Sequence, residues 1–193
     1  MIEYLSYQFV QNAFIATTII SLICALTGPI LVLKRLSLLG DGLAHLAFGG
    51  IALGLLIEIN PFLTATLLVI IGSFYINKVV KSKLGGENAI SVVLSTGVGL
   101  GLIAIALANG FNKDLFSYLI GNIYTVSYNE IYLSLILLIF LGIFYVKYYK
   151  NIILSCFNED LSRIYCKSNA SFNFFFPIII GLTTIALIKM VGI

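Results

Sequence analysis

The chain has 193 residues, 60% of them hydrophobic and only 10% charged, with 11 Lys and Arg against 8 Asp and Glu for a formal net charge of +3. Mean hydropathy is +1.08, whereas a soluble domain carries about a quarter charged residues and a chain this size cannot hide so much apolar surface in one core. Composition therefore excludes a cytosolic enzyme, a disordered chain and a disulfide-stapled secreted module, and specifies a membrane protein.

A helix needs about 20 apolar residues to cross the hydrocarbon layer. Runs of that kind at 12–33, 40–58, 62–80, 91–108, 131–149 and 172–192 predict an all-α polytopic bundle of six spans, forming one transmembrane domain over residues 1–193. The first run follows a polar patch of Gln8, Gln11 and Asn12, read as interfacial. It lacks a basic leader and a small-residue cleavage site, so no removable signal is expected. Gly28-Pro29 should kink this span or mark its end, because proline has no N–H to donate.

Asn60-Pro61 and Gly85-Gly86 supply the turns on either side of span three. Residues 115–126 are too few to cross and read as an interfacial or re-entrant helix, interrupted by Gly121 and Asn122. Ser127 with Glu130 three residues on is a capping-box pattern opening span five. Glu58 and the pair Lys113-Asp114 fall at span ends as solvated loop charges.

If the spans alternate, Lys34, Arg35, Lys78, Lys81, Lys83, Lys147, Lys150, Arg163 and Lys167 share one side, leaving Lys113 and Lys189 opposite. The positive-inside rule then puts the N-terminus outside and the 151–171 loop in the cytoplasm. Positive charge scattered in pairs is not a nucleic-acid face. Its expected neighbours are membrane lipids. The cysteines, Cys24, Cys156 and Cys166, form no CxxC and read as free thiols.

Four glycines stand out by spacing. Gly50 with Gly54 in span two, and Gly97 with Gly101 in span four, put small residues on one helical face, the arrangement that lets helix backbones approach closely in lipid. The run Gly97-Val98-Gly99-Leu100-Gly101 lacks the strand-turn-helix setting of a phosphate loop and reads as packing.

His45, the single histidine, follows Asp41 by four residues, so on a helix the two share a face. A carboxylate inside a membrane span usually faces a cavity or a partner. Imidazole with carboxylate suits zinc and tolerates manganese, yet two ligands do not close a four-coordinate site. The alternative is an Asp that caps the helix and a His bonded to a carbonyl. Gly49 and Ala52 continue the stripe and leave room for a path or an adjoining helix.

The cytoplasmic loop contains Phe157, Asn158, Glu159, Asp160 and Leu161, then Ile164 and Tyr165. Its apolar members recur at helical spacing, which predicts a short amphipathic helix for the bilayer surface or a groove on a partner. No nucleotide motif or catalytic triad is visible, so an energy source, if one exists, must come from another chain. A rival reading is an ion-coupled secondary transporter or channel with Asp41 as a relay.

The stretch Leu33-Lys34-Arg35-Leu36-Ser37-Leu38-Leu39-Gly40-Asp41-Gly42-Leu43-Ala44-His45, with Gly50, Ala52 and Asn60-Pro61-Phe62, resembles the integral-membrane permeases of zinc and manganese ABC importers. Its Leu-Ala-His form is most similar to the ZnuB-type zinc-uptake permeases. Tyr118-Leu119-Ile120-Gly121 and Phe157-Asn158-Glu159 extend the similarity over essentially the whole chain.

The resemblance implies a homodimeric permease that hydrolyses no ATP itself. It would work with a cytoplasmic ABC ATPase and a periplasmic or extracellular metal-binding protein, carry Zn2+ or alternatively Mn2+ as cargo, and hold no permanent cofactor. Asp41 and His45 would be ligands along the metal path, and Phe157 to Leu161 would dock on the ATPase. Two departures accompany it. Asn158, Ser162 and Cys166 stand where the family usually has Asp, Ala and Gly, and family members continue through further spans beyond Val191-Gly192. The expected product of these 193 residues alone is an inserted but incomplete bundle.

Overall fold

The apolar runs fold as six helices in a computed structural model that describes residues 7–80, 86–108, 121, 123, 126–157, 162, 164–165 and 169–192. They are α1 (Gln8–Leu33), α2 (Leu39–Leu56), α3 (Pro61–Val80), α4 (Gly86–Leu107), α5 (Tyr128–Phe157) and α6 (Asn169–Val191). Each holds a stretch long and apolar enough to cross a membrane, and there is no strand among the described residues. The six expected spans and the all-α fold are therefore present; each helix begins earlier than its apolar run, and α5 alone ends later.

α2 is the centre of the bundle. It packs against α3, α4 and α6, while α1 lies mainly along α5. Two thirds of its apolar window (67%) is buried against the other helices, compared with 22% for α5. The cause is composition. α2 carries Gly42, Ala44, Ala47, Gly49, Gly50, Ala52 and Gly54, all buried. Lipid offers no hydrophobic drive for one helix to leave it for another, so association rests on close van der Waals packing, and small residues make that contact possible.

Local chemistry sets the boundaries. Asn60 Oδ1 accepts from the Phe62 N–H at 3.0 Å and opens α3 with Pro61 as its first residue. The Ser127 N–H donates to Glu130 Oε2 at 2.8 Å, forming the glutamate half of the capping box. α1 continues through Gly28-Pro29 to Leu33, so the proline does not end it. Pro29 leaves the carbonyl of Ala25 without its usual donor, and the Tyr145 hydroxyl of α5 donates to the neighbouring carbonyl of Leu26. At the other end of this helix pair, Gln8 of the polar patch donates to the Tyr128 hydroxyl.

α5 is longer than expected, 30 residues, and is broken in direction at Tyr148 (φ −104, ψ 16). The Tyr148 ring packs there on Phe144 at 4.7 Å and Phe172 at 5.9 Å. Of the 115–126 segment, Gly121 is in the left-handed region at φ +63, and a methyl group on it would fall 2.5 Å from the carbonyl carbon of Val191. The remaining backbone of that segment lies mostly outside the described residues.

Candidate functional site

Asp41 is in the first turn of α2, three residues after the N-cap Leu38. It makes no capping hydrogen bond; its Oδ1 sits 3.5 Å from Nε2 of His45, one turn on. An 18-residue helix is about 27 Å long, close to the thickness of the hydrocarbon layer. Asp41 therefore lies at one edge of the span and His45 about 6 Å further in. This changes the energetic account. The carboxylate does not bear the penalty of a mid-membrane charge, and the positive end of the α2 dipole favours it where it stands.

The pair occupies the side of α2 that this chain leaves open. The Asp41 side chain is 55% exposed and that of His45 32%, whereas Gly42, Leu43, Ala44, Leu46, Ala47 and Phe48 around them are buried. The His45 side chain is partly exposed rather than enclosed, while Asp41 stands in the first turn of α2, the end where the alternative reading also puts it. The two side chains offer one carboxylate and one imidazole toward whatever adjoins α2 there. Among the described residues no group of three or more His, Cys, Asp or Glu converges. Two side chains of this kind make an incomplete coordination shell, and water or a second chain must supply the rest.

The stripe does not continue as a path above His45. Gly49 is occupied by an adjoining helix: a Cβ on it would fall 2.6 Å from the carbonyl oxygen of Gly97 in α4. Gly97 in turn would place a Cβ 2.5 Å from both the His45 carbonyl oxygen and the Leu46 Cα. Gly101 receives the ring of Phe48, while Gly50 and Gly54 face α3, Gly50 against Ala65 Cα at 2.5 Å. Thr64 locks that crossing by donating to the Gly50 carbonyl at 2.8 Å. The sequence marks Gly49 as room for a path or an adjoining helix, and the helix that fills it is α4, through the Gly97 of its small-residue repeat.

Of the segment expected to dock on an ATPase, Asn158, Glu159, Asp160 and Leu161 lie outside the described residues. Phe157 does not open a separate amphipathic helix; it is the last residue of α5, because the helical pattern of 149–157 joins that of span five across the Tyr148 bend. It is 87% exposed, and Ile164 and Tyr165 are exposed to a similar degree, while Ser162 is buried. Phe157, Ile164 and Tyr165 thus face outward. Cys24 and Cys156 are free thiols; Cys166 is outside the described residues.

Six membrane-length helices around a glycine-rich centre, with one acidic–imidazole pair left open, define a polytopic membrane protein of transporter type. The profile of the ABC 3 transport family matches residues 6–193, and the chain belongs to that family. It is 34% identical over 200 aligned positions to a probable metal transport system membrane protein of Treponema pallidum, covering 98% of this chain and 71% of that one. A manganese transport system membrane protein, MntC, of Listeria monocytogenes is 26% identical over 192 positions, covering 98% and 68%. An uncharacterized membrane protein of Synechocystis is 32% identical over 153 positions, covering 77% and 54%. The chain thus spans about half the length of the Synechocystis relative and about seven tenths of the other two.

Among solved structures, PsaBC from Streptococcus pneumoniae in complex with Fab superposes with a TM-score of 0.79 at 23% identity, over 99% of this chain and 69% of that one, a likeness of fold. Family and fold together make the chain a multi-pass protein of the bacterial plasma membrane. The Listeria relative is named for manganese, the Treponema relative for an unspecified metal, and another, from Haemophilus influenzae, for iron.

Proposed function

We propose that the chain forms the membrane pathway of an ATP-driven importer for a divalent transition-metal ion. The observation that carries this reading is the Asp41–His45 pair on the open side of an otherwise buried central helix. A second copy related by a two-fold axis, facing the same side of α2, would bring two carboxylates and two imidazoles together, a shell of the size a tetrahedral site needs. Such a site assembled between subunits opens when they rock apart, which suits an ion that must be released inward.

ATP hydrolysis resides on a separate cytoplasmic ATPase, and an external binding protein delivers the metal. The outward-facing Phe157, Ile164 and Tyr165 support a docking role for the 157–165 region, since they have apolar area to offer a partner groove. The concentration of Lys34, Arg35, Lys78, Lys147 and Lys150 at one end of the bundle supports a cytoplasmic position for that end and an external N-terminus.

Two cargo readings are supported by different observations. The Leu43-Ala44-His45 sequence favours zinc, and the imidazole is the harder ligand to spare for zinc. The manganese and iron names of the relatives favour manganese or iron, for which the carboxylate is the better ligand. Uptake of labelled zinc and manganese into membrane vesicles holding the permease, its ATPase and its binding protein decides both points. Accumulation that requires ATP and one of these metals is expected. Accumulation driven by an ion gradient with the ATPase absent would replace this reading with a secondary transporter.

A further inference from the structure

At the same end of the bundle as the basic residues, a cavity of about 150 Å³ opens between the α1–α2 corner, α3, α5 and α6. A single water needs only about 10–15 Å³ of such space. Its polar lining is Lys34, Arg35, Asn77, Ser155 and Asn173, with no acidic side chain among the described residues that line it. The cavity is distinct from the Asp41–His45 pair, neither of which lines it.

Three features mark it as built for a ligand. Lys34 is held in place: its Nζ donates to Asn173 Oδ1 at 2.9 Å and stands 4.8 Å from the centre of the Phe172 ring. Arg35 is in the left-handed region, φ 56, a conformation that non-glycine residues adopt at a cost. Asn77 is 8% exposed and lines the cavity, yet its amide makes no hydrogen bond among the described residues. Because Asn77 lines the cavity, its amide is within reach of a ligand there. A ligand that accepts hydrogen bonds and carries negative charge would bond the Asn77 amide and pair with Arg35, beside the ammonium of Lys34.

We propose that this cavity binds the phosphate group of an anionic membrane lipid. The position favours a lipid over a soluble anion. Leu33 at the rim of the cavity and its neighbours Val32 and Leu38 are 50–63% exposed, an apolar shelf on which acyl chains lie while the headgroup enters the cavity. Basic pockets between transmembrane helices on the cytoplasmic side are a recurrent way of holding such headgroups. By bridging the α1–α2 corner to α3 and α6, the bound phosphate would brace the end of α2 that carries Asp41.

The test is retention of labelled phosphatidylglycerol by the purified full chain, exchanged from mixed phosphatidylglycerol and phosphatidylcholine nanodiscs and counted by native mass spectrometry. Arg35→Gln should lower retention about fivefold, the factor associated with one basic charge near an anionic lipid surface. Asn77→Leu should lower it as well, and Lys150→Gln, on exposed α5 surface away from the lining residues, should leave it unchanged. Circular dichroism of each variant separates loss of lipid from loss of fold. Equal retention by the wild type, Arg35→Gln and Asn77→Leu, all folded, would overturn the proposal, as would an equal loss in Lys150→Gln. Displacement of the lipid by millimolar inorganic phosphate would overturn the lipid assignment in favour of a free anion.

Discussion

Gly49 and Gly97 meet backbone to backbone, and together they fix how α2 and α4 cross. A methyl group on Gly97 would fall 2.5 Å from the His45 carbonyl oxygen, so no side chain fits without parting the helices at the level of the candidate site. Two residues on, Gly99 has nothing within 4 Å of the corresponding position. The pair makes a controlled experiment. Gly97→Ala should destabilise the bundle by about 1–3 kcal/mol through overpacking. Gly99→Ala should be neutral or stabilising by about 0.5–1 kcal/mol, since alanine is the better helix former. Reversible unfolding in mixed micelles measures both, and equal effects would refute the close crossing.

The Tyr145 hydroxyl ties α5 to α1 at the Leu26 carbonyl, beside the gap that Pro29 leaves in the α1 hydrogen-bond ladder. Hydrogen bonds between membrane helices average only about 0.6 kcal/mol. Tyr145→Phe should therefore cost about that much in the same unfolding assay, and Pro29→Ala, which returns a donor to the Ala25 carbonyl and not to Leu26, should leave that cost unchanged. A cost that changes in the Pro29→Ala background would show that the two residues act together.

If the 157–165 region docks on an ATPase, the apolar side chains it turns outward are the contact. Leu161→Asp, which would bury an unpaired charge in the partner's groove, should release the ATPase in pull-down of the assembled transporter. Phe157→Ser should weaken capture at least severalfold, because Phe157 is 87% exposed and holds little of its own fold together. Undiminished capture by both variants would assign these side chains to the bilayer surface.

The bundle was legible in the sequence because a membrane span must satisfy its backbone internally, so apolar run length alone nearly fixes each helix. Gly50, Gly54, Gly97 and Gly101 were visible as small-residue repeats and Gly49 as room for a path or an adjoining helix, although which of the two fills it required the fold. The i, i+4 relation of Asp41 and His45 was legible, but their depth was not: it depended on where α2 begins, and Leu38 offers no capping side chain to mark that point. The fusion of Phe157 into α5 was hidden for a related reason. The polar residues Lys147, Lys150 and Asn151 resemble the end of a span, yet the helix bends at Tyr148 and goes on. The cavity around Asn77 required the fold, because its lining comes from four helices and the α1–α2 corner, segments distant in sequence.

The central claim is that Asp41 and His45 handle the transported ion. The most direct test is metal uptake into vesicles by the complete transporter carrying Asp41→Asn or His45→Ala, with ATPase binding and membrane insertion measured on the same preparations. The account predicts that ATP-driven uptake falls by at least tenfold in each variant while assembly with the ATPase is retained. Uptake at the wild-type rate by either variant would contradict it.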